Sequence, residues 1–172
     1  AWVRASMSGR HPSCDASRWL IIEDRASGRI VSACGLMRHT WSLDGVPFTV
    51  GRPETVGTDP AYRRRGLIRR LFQEMHRMSE ADGDLVQAIW GIPYFYRQFG
   101  YEMCIPLDGG RRLEADTVER LARETPDGWT VEPPTPAARD HAERWKALMD
   151  RHNSWASVMT SADWDYHWRP QS

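Results

Sequence analysis

Net charge of one sign is missing from this 172-residue sequence, in which 23 Lys and Arg residues face 23 Asp and Glu residues. Proteins that hold nucleic acid or an anionic membrane through their overall charge are usually basic, so the balance argues against both classes of partner. Long apolar runs are missing as well, since no stretch approaches the roughly 18 residues of a membrane-spanning helix. We therefore expect neither a nucleic-acid partner nor membrane insertion, although a local basic patch stays compatible with the composition.

Cysteine is scarce, and the three that occur, Cys14, Cys34 and Cys104, are widely spaced and form no CxxC motif. An odd number of isolated cysteines argues against a disulfide framework and against a zinc site. The histidines form no metal-ligand pair at helical spacing, so we expect no metal. Reduced thiols are typical of the cytoplasm, which is the location we expect.

The apolar pattern over residues 18–107 predicts a β-β-β-α-β-α-β core. An Asp44-Gly45 pair between two alternating apolar runs is typical of a type I′ hairpin turn. The early antiparallel strands followed by β-α-β crossovers predict a mixed central sheet with flanking helices, of the α/β (α+β) class. The predicted strands are 19–23, 30–37, 41–50 (the hairpin), 54–58, 85–90 and 101–107, and the predicted helices are 66–79 and 93–99. Beyond this core, helices are predicted over 113–123 and 137–152, and a short strand over 129–132.

The most informative segment is the basic loop between the strand at 54–58 and the helix at 66–79. It reads Arg63-Arg64-Arg65-Gly66 and runs directly into the helix. Free N–H groups and the helix dipole favour an anion at a helix N terminus, and a glycine lets a phosphate approach the backbone. The segment is neither a Walker A loop nor GxGxxG, which disfavours ATP, GTP and NAD. The segment fits a pyrophosphate. The alternatives are a solvated arginine loop and an RNA-binding patch, and the latter would have Tyr62 as its one nearby aromatic residue.

Two motifs in this sequence resemble those of the GCN5-related N-acetyltransferases (GNAT). Residues 63–68 resemble the family's [QR]-x-x-G-x-[GA] motif, although Ile68 replaces the small final residue. Residues 91–102, with Tyr96, Gly100 and Tyr101, are similar to its Y-x-x-x-G-[FY] signature. The two motifs occur in the family's order, and the resemblance covers about residues 18–107.

The resemblance implies the acyl-CoA N-acyltransferase fold, with acetyl-CoA as the acyl donor and a primary amine of a small molecule or peptide as the acceptor. It implies direct attack of the amine on the thioester, without an acyl-enzyme. A non-catalytic acyl-CoA-binding or partner-docking domain of the same fold is the alternative. The residues that the resemblance assigns to the cofactor are Val56, Gly57, Thr58, Arg63, Arg64, Arg65, Gly66, Leu67, Ile68, Arg69 and Gly91.

The resemblance also implies catalytic roles for two residues. Tyr96 corresponds to the family's general acid, because a phenol with a pKa of about 10 can protonate a leaving thiolate of similar basicity. The alternative is that Tyr96 packs beside its aromatic neighbours. Glu54, on the strand that leads to the cofactor, is the candidate base, directly or through a water. The alternative for Glu54 is an exposed strand acid or a partner of Arg52, and His39 is a weaker candidate base.

Within the family the motifs are most similar to enhanced-intracellular-survival-type acetyltransferases. We expect an acetyl-CoA-binding domain over residues 1–110 that lacks its first elements, a connector with a Pro-rich spacer over 111–136, and a C-terminal part over 137–172. That last part is interpreted as a helical extension or as the start of a second related domain, which would make the chain a fragment. Its tryptophans are a candidate contact for a second domain or a second copy.

Overall fold

The computed structural model describes residues 2–105, 114–124 and 138–168. Five strands and five α-helices form this part of the chain. The strands are β1 (Trp19–Asp24), β2 (Arg29–Leu43), β3 (Val46–Thr58), β4 (Val86–Gln87) and β5 (Trp155–Ser157). The helices are α1 (Trp2–Met7), α2 (Leu67–Ala81), α3 (Ala115–Glu124), α4 (Ala138–His152) and α5 (Ser161–Trp168), and 3-10 turns occur at Ala16–Arg18, Pro60–Tyr62 and Phe95–Phe99.

The five strands form one mixed sheet in the order β1-β2-β3-β4, with β5 added to β2. Strands β1, β2 and β3 are antiparallel neighbours, whereas β4 runs parallel to β3. The parallel pair needs a crossover, which α2 provides. The predicted mixed α/β architecture is therefore confirmed.

A long hairpin of β2 and β3 dominates the sheet. Its turn is the predicted one, with positive φ at Asp44 (48°) and Gly45 (81°), as a type I′ turn requires. The separate short strands predicted over 30–58 were wrong, because pairing continues from Leu43↔Val46 to Ser32↔Thr58. Cross-strand pairing carries the strands through polar stretches that look like breaks in the sequence.

One β-bulge interrupts the β2–β3 pairing. Gly35 pairs with Glu54 and Ala33 pairs with Gly57, so two β3 residues lie opposite the one β2 residue between these pairs. The first of the two, Thr55, has a φ of 53°, which a β-branched residue rarely adopts. The bulge bends β3 just before its C-terminal end, and the sequence did not predict it.

Helix α2 packs its apolar stripe on one face of the sheet, close to the bounds predicted for it. Leu71, Phe72 and Met75 are buried there against Cys34 and Leu36 of β2. The apolar positions recur at helical spacing, so a single face of α2 enters the core while its arginines stay outside.

The region after β4 differs from the prediction. The strand predicted over 85–90 is reduced to Val86–Gln87, and the helix predicted over 93–99 is the 3-10 turn Phe95–Phe99. Residues 101–105 form no strand, and the rest of that predicted strand lies outside the described residues. A strand is stabilised by its paired neighbours, and among the described residues β4 pairs only with β3. The pairing of β4 is therefore short.

The C-terminal part is attached to the same sheet. Helices α3 and α4 confirm the helices predicted near 113–123 and 137–152. Strand β5 pairs with the distal end of β2, and the Trp155 ring packs edge-on against Trp41 (6.4 Å) and Phe48 (5.8 Å). The strand predicted over 129–132 and the Pro-rich spacer lie outside the described residues, and the domain division stays a prediction.

None of the helices in the described ranges is both long and apolar enough to cross a membrane.

Candidate functional site

The N terminus of α2 is open. Gly66 precedes the helix with a φ of 73°, no side chain caps the helix there, and no other atom lies within 4 Å of the place where a Cβ of Gly66 would stand. The first N–H groups of a helix have no partner inside it, and no side chain caps those of the first turn of this 15-residue helix. An anion is the natural partner for this arrangement.

Two carboxylates hold the loop that leads to this helix. Asp59 accepts hydrogen bonds from the Ala61 amide and the Arg29 guanidinium, both at 2.9 Å. Asp24 accepts one from the Tyr62 hydroxyl at 2.8 Å. Hydrogen bonds from Ser27, and next from Tyr62, lower the pKa of Asp24. The Asp24 carboxylate is therefore ionised at neutral pH and accepts the hydrogen bond from Tyr62.

Five arginines surround the open helix end. All are exposed, and none lies within 4.0 Å of a carboxylate oxygen of a described residue, in contrast to Arg77 further along α2, which pairs with Glu74 at 2.6 Å. Guanidiniums without acidic partners supply the bidentate donors and the charge that phosphates require. These five residues are Arg63, Arg64, Arg65, Arg69 and Arg70.

The backbone conformation of this loop is unusual for a non-glycine residue. Arg64 has a φ of 62°, in the left-handed region. Arg65 lies over the Tyr62 ring at 4.8 Å and donates to the Ala61 carbonyl at 3.2 Å. The loop therefore holds Arg65 in place while its neighbours stay exposed.

The C-terminal end of β3 has a free edge next to the anion cradle, our name for Gly66, the start of α2 and the five arginines around it. Pairing with β4 ends at Gly51↔Gln87, and the last bond of that register runs from the Ala88 amide to the Gly51 carbonyl at 3.0 Å. Beyond Gly51, no described strand lies on that side of β3. An extended ligand could therefore bind along the edge that leads to the cradle.

The predicted residues Val56, Gly57 and Thr58 lie on this free stretch. Val56 packs against the core, while Gly57 is exposed, with nothing within 4 Å of its Cβ position. On the other edge, the Ser32 hydroxyl donates to the Gly57 carbonyl at 2.9 Å and shares a 2.8 Å hydrogen bond with the Thr58 hydroxyl. The strand end is thus fixed from the β2 side.

The first turn of α2 separates into inward and outward side chains. Ile68 packs against the hydrophobic core, so its bulk lies away from the open helix end. Leu67 is half-buried and lines a small groove of about 230 Å³ between β1 and α2. Arg69 lies over the Phe99 ring at 5.5 Å and donates to Gln98 at 3.3 Å, which ties the helix start to the 3-10 turn that carries Tyr96.

Tyr96 is half-buried in an aromatic cluster. Its ring stacks on Phe72 at 5.7 Å and meets Phe95 edge-on at 5.0 Å, while its hydroxyl has no hydrogen-bond partner among the described residues. The ring lies directly against Gly91, where any Cβ would collide with it. Burial, and then the negative charge of Glu54, raise the pKa of Tyr96, so the phenol keeps its proton near pH 7.

Glu54 is engaged in an ion pair. One of its carboxylate oxygens lies 2.6 Å from Arg52 Nη2, and the two side chains are 23% and 26% exposed. Arg52 also lies over the Trp90 ring at 5.0 Å. The alternative partner role expected from the sequence is therefore observed. Sequence reasoning placed Trp90 beside Gly91 at the end of the neighbouring strand, but it missed the contact between the Trp90 ring and Arg52.

His39 is a poor proton acceptor where it stands. Burial, and then the nearby charge of Arg52, lower its pKa from 6.5 to about 4. Its Nε2 atom is buried without a hydrogen-bond partner. No group of three His, Cys, Asp or Glu side chains within the described ranges is arranged to hold a metal ion.

Comparisons with known proteins agree with the geometry. The family model described as "Acetyltransferase (GNAT) domain" matches residues 5–104. No curated protein matches the sequence significantly.

Three solved structures illustrate the likeness. An acetyltransferase from Trypanosoma brucei is 25% identical over 56% of this chain and 67% of its own, with a TM-score of 0.46. Glucosamine-6-phosphate N-acetyltransferase from Arabidopsis thaliana is 17% identical over 56% and 66% (TM-score 0.47). The GNAT family N-acetyltransferase YhbS from Escherichia coli, in complex with CoA, is 23% identical over 49% and 45% (TM-score 0.43). The matched part thus spans about two thirds of the first two structures and less than half of the third.

Proposed function

The chain belongs to the family of GNAT acetyltransferase domains, and from that premise we propose that it is an N-acetyltransferase. It transfers the acetyl group of acetyl-CoA to a primary amine of a small molecule or peptide. The observation that carries this proposal is the uncapped, arginine-rich N terminus of α2 beside the free edge of β3. The helix N terminus suits the pyrophosphate of the donor, and the free strand edge suits its extended pantetheine arm.

The donor is proposed to bind through backbone and guanidinium groups. The first N–H groups of α2, next to Gly66, face the pyrophosphate, and Arg63, Arg64 and Arg65 neutralise its charge. The free edge of β3 at residues 56–58 offers backbone donors and acceptors to the pantetheine amides. A backbone donor aimed at the thioester oxygen stabilises the developing oxyanion by a few kcal/mol.

The chemistry follows from two side chains. The neutral amine attacks the thioester carbonyl, a C–N bond forms and the C–S bond breaks. Tyr96 gives its proton to the departing CoA thiolate. Because the pKa of Tyr96 is raised, the phenol is still protonated when the thiolate leaves. The nitrogen loses its extra proton to Glu54, directly or through a water, and the products are the amide and CoA thiol.

The proposal is tested by thiol release from acetyl-CoA across a panel of primary amines. We expect amine-dependent release by the native protein and a loss of about 10²-fold or more in kcat for Tyr96→Phe, the typical contribution of a general acid. Tyr94→Phe is the matched control, because the Tyr94 side chain is exposed and lies over Arg97 instead.

Two results would sink the assignment. If Tyr96→Phe retained full kcat over the whole pH range, Tyr96 would not be the acid. If acetyl-CoA bound but no amine released thiol, the chain would be the non-catalytic acyl-CoA-binding domain instead.

A cytoplasmic location is part of the proposal, and it is supported by three free cysteines.

A further inference from the structure

The ion pair between Arg52 and Glu54 lies on one face of the sheet. The two residues are two positions apart on β3, so their side chains project from the same face. Gly35 pairs with Glu54 on that face, and Trp19 covers its Cβ position at 3.2 Å. The core side chains that contact α2 lie on the opposite face.

The positive charge of Arg52 is held in place from two sides. Its Nη2 contacts Glu54 at 2.6 Å, and its guanidinium lies 5.0 Å from the Trp90 ring centroid. Its Nε is buried without a partner, so the contacts to Glu54 and Trp90 determine the position of the guanidinium. Cation–π stacking and a charge-assisted hydrogen bond therefore fix the cation against the carboxylate.

The neighbouring groups on this face are two imidazoles and the carboxylate of Asp163. His39 and His11 are both near enough to Arg52 for its charge to lower their pKa, although burial is the larger cause for each. Both imidazoles are therefore neutral near pH 7. Asp163 of α5 accepts hydrogen bonds from the Thr160 amide and hydroxyl, both at 2.7 Å, and keeps its negative charge, which acts on both imidazoles.

We propose that Arg52 selects the acceptor by charge. Because Arg52 neutralises Glu54, the Glu54 carboxylate offers no net charge to a second cationic group of the acceptor. Glu54 then adds no affinity for the extra charges of a polyamine, and amines whose remaining atoms are uncharged are accepted. This inference rests on the proposed function, since it needs Glu54 to face the acceptor.

Titration calorimetry of amines into the CoA-saturated protein tests this without depending on turnover. The probes are butylamine, with one charge, and spermidine, with three. We expect the native protein to bind spermidine no more tightly than butylamine. In Arg52→Met the unpaired carboxylate should increase spermidine affinity about tenfold, and butylamine affinity much less, with the gain lost at high salt.

Three further variants sharpen the result. Arg52→Lys keeps the cation and should retain the native preference. Arg77→Met removes an arginine that also pairs at 2.6 Å, but on the exposed side of α2, and should change neither affinity. Glu54→Gln leaves Arg52 without its counter-charge and should weaken spermidine binding below the native value, which tests the idea even if Arg52→Met fails to fold.

The outcomes separate the two proposals. Native protein that prefers spermidine, an unchanged spermidine-to-butylamine ratio in folded Arg52→Met, or no amine binding in any variant would each overturn charge selection by Arg52. Amine binding with the expected selectivity but no thiol release would instead overturn the proposed acetyl transfer and leave the role of Arg52 intact.

Discussion

Burial fixes the protonation of the titratable groups closest to the candidate site. Tyr96 keeps its proton because its ring lies in an aromatic cluster and near a carboxylate, and His39 loses its proton because it is buried next to a cation. The two shifts run in opposite directions for one reason, since low polarity disfavours whichever form is charged. The result is a neutral acid next to the ion pair that carries the candidate base.

The depressed pKa of His39 predicts a pH-dependent stability. In the unfolded chain His39 takes up a proton below about pH 6.5, but in the folded protein only below about pH 4. Between these values the unfolded state binds more protons, so the free energy of unfolding falls as the pH drops from 6.5 to 4. The loss from this residue amounts to at most about 3 kcal/mol.

Urea unfolding at pH 7 and pH 4.5 measures this effect. The native protein should lose more stability between the two values than His39→Leu, which removes the titrating group. Equal losses in the two proteins would contradict the assignment of that pH dependence to His39.

At the level of elements, helix α2 links the stability of the core to the geometry of the site. Phe72 is almost fully buried, and its ring contacts Phe99 (4.5 Å), Tyr96 (5.7 Å) and Tyr101 (6.0 Å). One core side chain of the helix thus supports the whole 3-10 turn that carries Tyr96. The open N terminus of the same helix lies next to Arg69, which contacts that turn from above.

We expect Phe72→Ala to lower the free energy of unfolding by about 3–5 kcal/mol, the usual cost of removing a buried phenyl ring. Phe95→Ala removes a ring that is 39% exposed, and it should cost less than half as much. Denaturant unfolding of both variants checks the order. Similar losses for the two would show that Phe72 does not anchor the turn.

The sequence predicted those elements whose signal is local. The type I′ turn at Asp44-Gly45 and helix α2 both follow from short-range patterns, and so does the position of Gly66. The bulge at Thr55 could not be predicted, because it is a property of how β3 pairs with β2. The contact between Arg52 and Trp90 could not be predicted either, because the two residues are far apart in the sequence and meet only in the folded chain.

On the scale of the whole molecule, charge is distributed unevenly although the net charge is zero. The arginines around the start of α2 have no carboxylate partner in the described chain, whereas Arg18, Arg38, Arg52, Arg97 and Arg139 each pair with an acid elsewhere. A cluster of unpaired arginines thus lies at a helix end where the backbone also favours an anion. Composition alone could exclude a generally basic protein but could not show this local excess.

Titration calorimetry of acetyl-CoA into the protein tests the central claim most directly. The native chain should bind, Arg64→Ala/Arg65→Ala should bind at least about tenfold more weakly, and Gly66→Glu should not bind, because it puts a negative, strained residue into the cradle. Arg77→Ala, at the paired arginine further along the helix, should bind like the native chain. Native affinity in folded Gly66→Glu, or no binding by the folded native chain, would contradict the account.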